Sequence, residues 1–134
     1  QSGSGNYAET TQVGSLLAPS TGNLSLTMQD GNGNAAIVKQ PGFANKSLVV
    51  QSADHSFALV NQTGSTNNSA VMQAGAYSNA WVSQQGSASN SVVLQYGTGG
   101  AGQENIAVVT QRNGGQNSLV SQIGRANVAY VSQR

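Results

Sequence analysis

The sequence predicts an all-β chain: a β-solenoid, or stack of β-arches, with two parallel in-register sheets and 22-residue rungs made of two 11-residue strand–arc units. Three observations predict it. First, Gln recurs at Gln12, Gln29, Gln40, Gln51, Gln62, Gln73, Gln84, Gln95, Gln111, Gln122 and Gln133, and eight of the ten intervals are 11 residues. The other two, 17 and 16, are the same spacing with insertions of six and five. Internal repetition at a fixed period is the mark of a stacked-repeat architecture. Second, the residues zero, two, four and six places into each unit form a period-2 pattern, the signature of a strand with one buried face. Third, the residue two places in reads Ala8, Ser25, Ala36, Ser47, Ala58, Ser69, Ala80, Ser91, Ala107, Ser118, Ala129. Ala and Ser alternate without exception. Odd strands therefore build one sheet and even strands the other, each strand stacking on the one a full rung away at about 4.8 Å.

Residues 1–5 read as a short N-terminal lead, and residues 6–133 as a single solenoid of eleven strand units. Each strand opens on a small polar residue six places before its Gln: Asn6, Asn23, Asn34, Asn45, Ser56, Asn67, Ser78, Ser89, Asn105 and Asn127, with Gln116 in the tenth unit. The first two units carry Thr10 and Thr27 at the fourth place. All later ones carry the core Val: Val38, Val49, Val60, Val71, Val82, Val93, Val109, Val120 and Val131. The insertions, at 13–22 and 96–104, fall after an odd and an even strand, and so bulge from opposite edges of the stack.

A four-residue arc follows each strand. Its second residue is Gly14, Gly31, Gly42, Gly64, Gly75, Gly86, Gly97 or Gly124, with Ala53 and Asn113 the exceptions. Gly there supplies a positive φ, and Asn is the next best tolerated. Helix is excluded by Gly recurring at this spacing. Because the chain reverses within a rung, small Ala or Ser meets Val across a dry interface, and Asn or Ser meets Gln at the margins. Gln and Asn amides can each donate and accept, so the structural Gln ladder and the Asn/Ser ladder satisfy polar groups that would be costly to bury singly.

Composition narrows the function. Only 7% of the residues are charged and 37% are apolar, so a chain rich in Gly, Ser, Asn and Gln is either disordered or inclined to β-assembly. A net charge of +1 argues against nucleic acid or an anionic membrane as partner. No apolar run approaches the roughly 20 residues that span a bilayer. With no Cys there is neither disulfide nor thiolate metal site. Opening on Gln1 and a Ser/Gly stretch, the chain reads as a mature secreted form.

No enzyme is expected. His55 and Asp54 could be a catalytic or metal pair, but one His, two Asp and two Glu scattered over arcs and outer faces assemble no first set of ligands and no triad. Gly99, Gly100 and Gly102 lack the Lys-Ser/Thr and helix of a phosphate-binding loop. The Asp-bearing Gly-rich repeat of calcium-binding β-rolls is absent. No cofactor or metal is called for. An ice-binding solenoid needs a flat outward Thr array, whereas the outward places here mix Leu, Ile, Asn, Lys, Met and Trp. A disordered linker would have no reason to keep the two-fold Ala/Ser alternation.

The units resemble the curlin repeat of bacterial curli subunits, Ser-x5-Gln-x-Gly-x2-Asn-x5-Gln. Asn34–Gln40–Gly42–Asn45–Gln51 carries the resemblance most fully, and Asn67–Gln73–Gly75 and Asn127–Gln133 repeat it. The resemblance, running from about Asn6 to Gln133, implies an amyloid-like cross-β fibre of biofilm matrix. It implies a secreted homopolymer at the cell surface, exported through an outer-membrane secretion pore and assembled with a nucleator or major curli subunit as partner. Two features depart from the common pattern. Only Gln1 to Gly5 precede the first unit where curlins carry a longer segment, and the ending Val131-Ser132-Gln133-Arg134 is similar to that of the minor, nucleating subunit. Eleven strands make five and a half rungs. An incoming copy whose first strand fills the vacant place above strand ten would be turned by roughly 180° about the fibre axis.

Overall fold

The computed structural model describes residues 1–14, 22–97 and 99–134. The expected course of the first insertion lies largely outside the described residues. Among the described residues eleven strands follow in chain order: β1 (Tyr7–Val13), β2 (Leu24–Gln29), β3 (Ala35–Phe43), β4 (Lys46–Gln51), β5 (Phe57–Ser65), β6 (Asn68–Gln73), β7 (Ser78–Ser87), β8 (Asn90–Tyr96), β9 (Asn105–Arg112), β10 (Asn117–Ile123) and β11 (Val128–Gln133). Odd strands form a six-stranded sheet in the order β1-β3-β5-β7-β9-β11, and even strands a five-stranded sheet in the order β10-β8-β6-β4-β2. We call them the Ala sheet and the Ser sheet after the residue two places into each unit. All-β, with two parallel in-register sheets, the chain is a β-solenoid.

Every neighbouring pair is parallel and matches like with like: Ala36 pairs with Ala58, Val38 with Val60, Ser47 with Ser69, Gln51 with Gln73. The insertions leave this register intact. Thr10 pairs with Val38 across the first, and Val93 with Val120 across the second. After the second detour Gln103 rejoins the stack, its carbonyl accepting the Ala126 N–H at 3.2 Å.

Burial alternates as a pleated strand requires. In β4 and β6, Ser47, Val49 and Gln51 and likewise Ser69, Val71 and Gln73 are buried, while the intervening residues are half-buried or exposed. The dry centre is narrow and made only of small residues. Ala36, Ala58, Ala80 and Ala107 interleave with Val38, Val49, Val60, Val71, Val82, Val93, Val109 and Val120. Small-against-branched packing lets the sheets approach closely and forfeits little dispersion energy to voids.

The arcs differ from the simple expectation. β3 and β5 each run nine residues and β7 ten, because pairing continues past Gln through Gly42, Gly64 and Gly86. The even strands β4 and β6 stop at their Gln. At Gly64 the reason is a close approach: a Cβ there would land on the carbonyl oxygen of Gly86, and φ is +109°. Gly14 and Gly75 lie outside the positive-φ region, so that expectation fails at those two arcs. What Gly75 needs is space, since its Cβ would meet the Gly97 carbonyl. A second positive-φ place, immediately before the small polar residue that opens a unit, is held by Ala44, His55, Thr66, Tyr77, Ala88 and Ala126 at φ of 55–57°.

Candidate functional site

Two columns of largely buried amides run the length of the stack. Along the Ala sheet, Nε2 of Gln12 donates to Oε1 of Gln40, Gln40 to Gln62, Gln62 to Gln84, Gln84 to Gln111 and Gln111 to Gln133, at 2.8–2.9 Å. Along the Ser sheet, Gln29 donates to Gln51, Gln51 to Gln73, Gln73 to Gln95 and Gln95 to Gln122, at 2.7–2.9 Å. The rung spacing of a parallel sheet is what brings one primary amide within reach of the next.

From Gln29 to Gln133, each ladder amide nitrogen has a second hydrogen that crosses to the facing sheet. Gln51 donates to the Ala35 carbonyl at 3.0 Å, Gln62 to Lys46 at 2.9 Å, Gln73 to Phe57 at 3.0 Å and Gln84 to Asn68 at 3.0 Å. One side chain thus joins its own sheet along the axis and the opposite sheet across it. Both ladders run one way, with every Nε2 aimed toward the C-terminal end of the stack.

The Asn and Ser column works differently from an amide–amide ladder. Among the described residues, direct amide contact occurs once, from Asn127 Nδ2 to Asn105 Oδ1 at 3.1 Å. Elsewhere the side chain splices backbone to backbone. Oδ1 of Asn34 accepts the Ser56 N–H at 2.9 Å, and Oδ1 of Asn45 accepts the Asn67 N–H at 3.0 Å. Nδ2 of Asn23, Asn45 and Asn67 donates to the carbonyls of Gly42, Gly64 and Gly86 at 3.0 Å, and Ser56 Oγ to that of Gly75 at 3.1 Å. The physical reason is reach. Asn is one methylene shorter than Gln and stands at the mouth of the arc, where the next rung's N–H and carbonyl are nearer than the next amide. Ser78 and Ser89 occupy the same column, and Ser89 Oγ donates to the Asn113 carbonyl at 3.3 Å.

The column ends are open. Asn6, Asn23, Asn127 and Gln133 are only half-buried, Gln12 is exposed, and Val131 is half-buried. Residues 1–5 are part of the stack as well. Gln1 Nε2 donates to Gln29 Oε1, the Ser2 N–H to the Gln29 carbonyl at 2.8 Å, and the Gly33 N–H to the Ser4 carbonyl at 2.9 Å. Sequence reasoning left Gln1 out of the ladder. The signal was there: Gln1-Ser2-Gly3-Ser4-Gly5-Asn6 is the Gln-x-Gly-x2-Asn half of the repeat, and Gln1 stands 11 residues before Gln12.

Not every buried polar atom is satisfied. The hydroxyls of Ser25, Ser47 and Ser69, together with Thr27 and Ser78, have no partner. Ser118 Oγ reaches Ser91 Oγ at 3.3 Å. At the arcs, His55 stacks on Tyr77 with ring centroids 5.0 Å apart, and Asp54 Oδ1 accepts the Asn32 N–H at 2.7 Å. On the outer face, Glu9 accepts the Tyr7 hydroxyl at 2.7 Å and raises the phenol above its ordinary pKa. The Gly102 N–H holds the Glu104 carboxyl below its own.

Residues 31–64 match the family model of the curlin associated repeat. The chain carries a curlin repeat. The matched stretch covers β3, β4 and β5 with their arcs, and the same bonding pattern continues on both sides of it. No curated protein gives a significant match. The curlin repeat supports a curli-type amyloid subunit.

Proposed function

We propose that this curlin-repeat chain is a structural subunit of an extracellular biofilm fibre, and that it self-assembles by stacking copies head to tail. The observation that supports the reading is the pair of open ends. β1 and β11 are edge strands of the Ala sheet and β2 and β10 of the Ser sheet, so every ladder ends at the edge of its sheet. A flat, in-register edge of this kind is a template for another copy of itself. The ends are also complementary, because unidirectional ladders offer amide N–H groups at one end and carbonyl oxygens at the other. That polarity favours head-to-tail growth, the heterologous contact that produces a filament rather than a closed ring. By family likeness the chain's other partners are a nucleating or major curli subunit and the outer-membrane secretion pore.

The test is incubation of the purified chain alone, followed by fibre diffraction and imaging. Fibres with a meridional reflection near 4.8 Å and strands across the axis are expected. A chain that stays a soluble β-rich monomer at high concentration would refute the reading.

A second reading, that the chain is the minor nucleating subunit, is favoured by the near-uniform 11-residue spacing of the units. Seeding separates the two. A nucleator at a small molar fraction shortens the lag of a major subunit without becoming the bulk of the fibre.

A further inference from the structure

We propose that copies of the 134-residue chain join without rotation, the Gln1–Asn6 arc of one copy seating on the Gln122–Asn127 arc of the copy below, so that both glutamine ladders cross the junction unbroken. This rests on the fibre reading above and specifies its interface.

The argument starts from the two ends. At the C-terminal end, Gln122 Nε2 donates to the Ile106 carbonyl and Gln133 Nε2 to the Asn117 carbonyl; among the described residues neither has the along-axis bond that interior glutamines make. At the N-terminal end, Gln12 and Gln1 begin the two ladders, each donating onward to Gln40 and Gln29. Their own Oε1 atoms therefore face the next copy. Two donors at one end meet two acceptors at the other, one pair on each sheet.

Only one arrangement connects both pairs. With β1 placed on β11, Ala8 lies over Ala129, Thr10 over Val131 and Gln12 over Gln133. The arc then brings Gln1 over Gln122 on the Ser sheet. The interior pattern extends across: the Ile123 N–H finds the Gln1 carbonyl, as the Ser52 N–H finds that of Gln73, and the Gly5 N–H finds the Arg125 carbonyl, as the His55 N–H finds that of Asn32. The Asn6 N–H meets Asn127 Oδ1, as the Asn127 N–H meets Asn105 Oδ1. Gly3, at φ +93°, stacks on Gly124, at φ +102°.

The turned arrangement expected from the half rung fails on the same residue. Placing β1 over β10 would bring Gln1 and Ser2 to the last places of the strand beside it, which Gln133 and Arg134 of the copy below already occupy. Filling the half rung would therefore tear Gln1 and Ser2 from Gln29. In the unturned junction those bonds are kept, and the strand place between Asn117–Ser121 below and Leu24–Met28 above receives no strand from these residues. An open hollow of about 420 Å³ beside Gln1, Ser2, Thr27 and Met28 marks where that place begins.

Two measurements test this. The chain has no native Cys, so engineered pairs report contacts cleanly. Tyr7→Cys with Val128→Cys should form disulfide-linked multimers when fibres are oxidised, and Tyr7→Cys with Asn117→Cys should stay monomeric on a non-reducing gel; stacked strands lie within disulfide range. The reverse result establishes the turned junction, and cross-linking in neither pair shows that the ends do not meet in register; either overturns the proposal. Imaging of unmodified fibres gives an independent readout. Unturned copies advance by six strand spacings, about 29 Å, in one orientation, whereas turned copies advance by about 26 Å and alternate. An advance of about 26 Å overturns the proposal while leaving the fibre intact, whereas failure to form any fibre defeats the functional reading itself.

Discussion

Gln62 donates through Nε2 to Oε1 of Gln84, one rung along the Ala sheet, at 2.8 Å. The same amide accepts from Gln40 at 2.8 Å and donates across to the Lys46 carbonyl at 2.9 Å, all with the side chain fully buried. Replacing Gln62 with Leu would strand the Gln40 N–H, the Gln84 oxygen and the Lys46 carbonyl in a water-free column. A buried orphan costs about 1–3 kcal/mol, so the loss should be several kcal/mol. At the exposed end, Gln12→Leu loses one ladder bond, and about 1 kcal/mol is expected. Denaturant midpoints of the two variants should differ widely; equal midpoints would show that the column contributes little.

The Ser sheet makes the opposite prediction. Ser69 is 1% exposed and its hydroxyl has no partner. Ser69→Ala removes an unsatisfied polar group while leaving the small residue that the Ala sheet carries at the equivalent place. The variant should gain about 1 kcal/mol, the lower end of the orphan cost. Ala58→Ser, at a site with no exposure, should lose a similar amount, since the new hydroxyl would be buried without a partner. Thermal or chemical denaturation checks both signs, and a destabilised Ser69→Ala would mean that the hydroxyl column is bonded.

These contrasts show which features are legible in a repeat sequence. Strand existence, sheet membership and register follow from the Gln period and the Ala/Ser alternation, because stacking like on like is itself the packing rule. Ala36 pairs with Ala58 and Gln51 with Gln73, as the alternation implies. The turn chemistry before each strand was hidden. The residues there include Ala44, His55, Thr66 and Tyr77, which share no composition, only a backbone conformation that the neighbouring rung imposes. Gln1 was hidden for another reason: it is read with an arc and not with a seven-residue strand pattern, although that arc stacks like the others. The Asn column was legible as a column. Its bonding was not, since whether an amide reaches another amide or the backbone depends on distances that a linear pattern does not carry.

Thr66 is the sharpest case of that hidden strain. It holds φ at +55°, a region disfavoured for L-residues by about 1–2 kcal/mol and more so for a β-branched side chain. Its N–H still donates to the Phe43 carbonyl at 3.1 Å, a bond that does not depend on the side chain. Thr66→Gly relieves the strain at the expense of greater freedom in the unfolded chain, and a net gain of about 1 kcal/mol is expected. Gly64→Ala, two residues earlier, should do the reverse, because its Cβ would strike the Gly86 carbonyl. A raised denaturation midpoint for the first and a lowered one for the second are the expected readings; a lowered midpoint for Thr66→Gly would mean that the side chain contributes more than the strain costs.

Inward and outward neighbours on a single strand give the plainest test of the stack. Val82 is 2% exposed, sits in the Ala–Val core and pairs with Val60 and Val109 on either side. Ser83, the next residue, is half-buried on the outer face between Asn61 and Thr110. A carboxylate at Val82 would have no counter-charge and no donor within the dry interface. Val82→Asp therefore costs several kcal/mol or opens the rung locally. Ser83→Asp adds the same charge where water reaches it and where neither stacked neighbour is acidic, so its effect should stay within about 0.5 kcal/mol. Because a fibre repeats each rung in every copy, the contrast should appear in assembly as well. Val82→Asp should lengthen the lag or abolish fibres, while Ser83→Asp should assemble on the parent's time course. Equal lag times for the two variants would mean that the faces of β7 have been assigned the wrong way round.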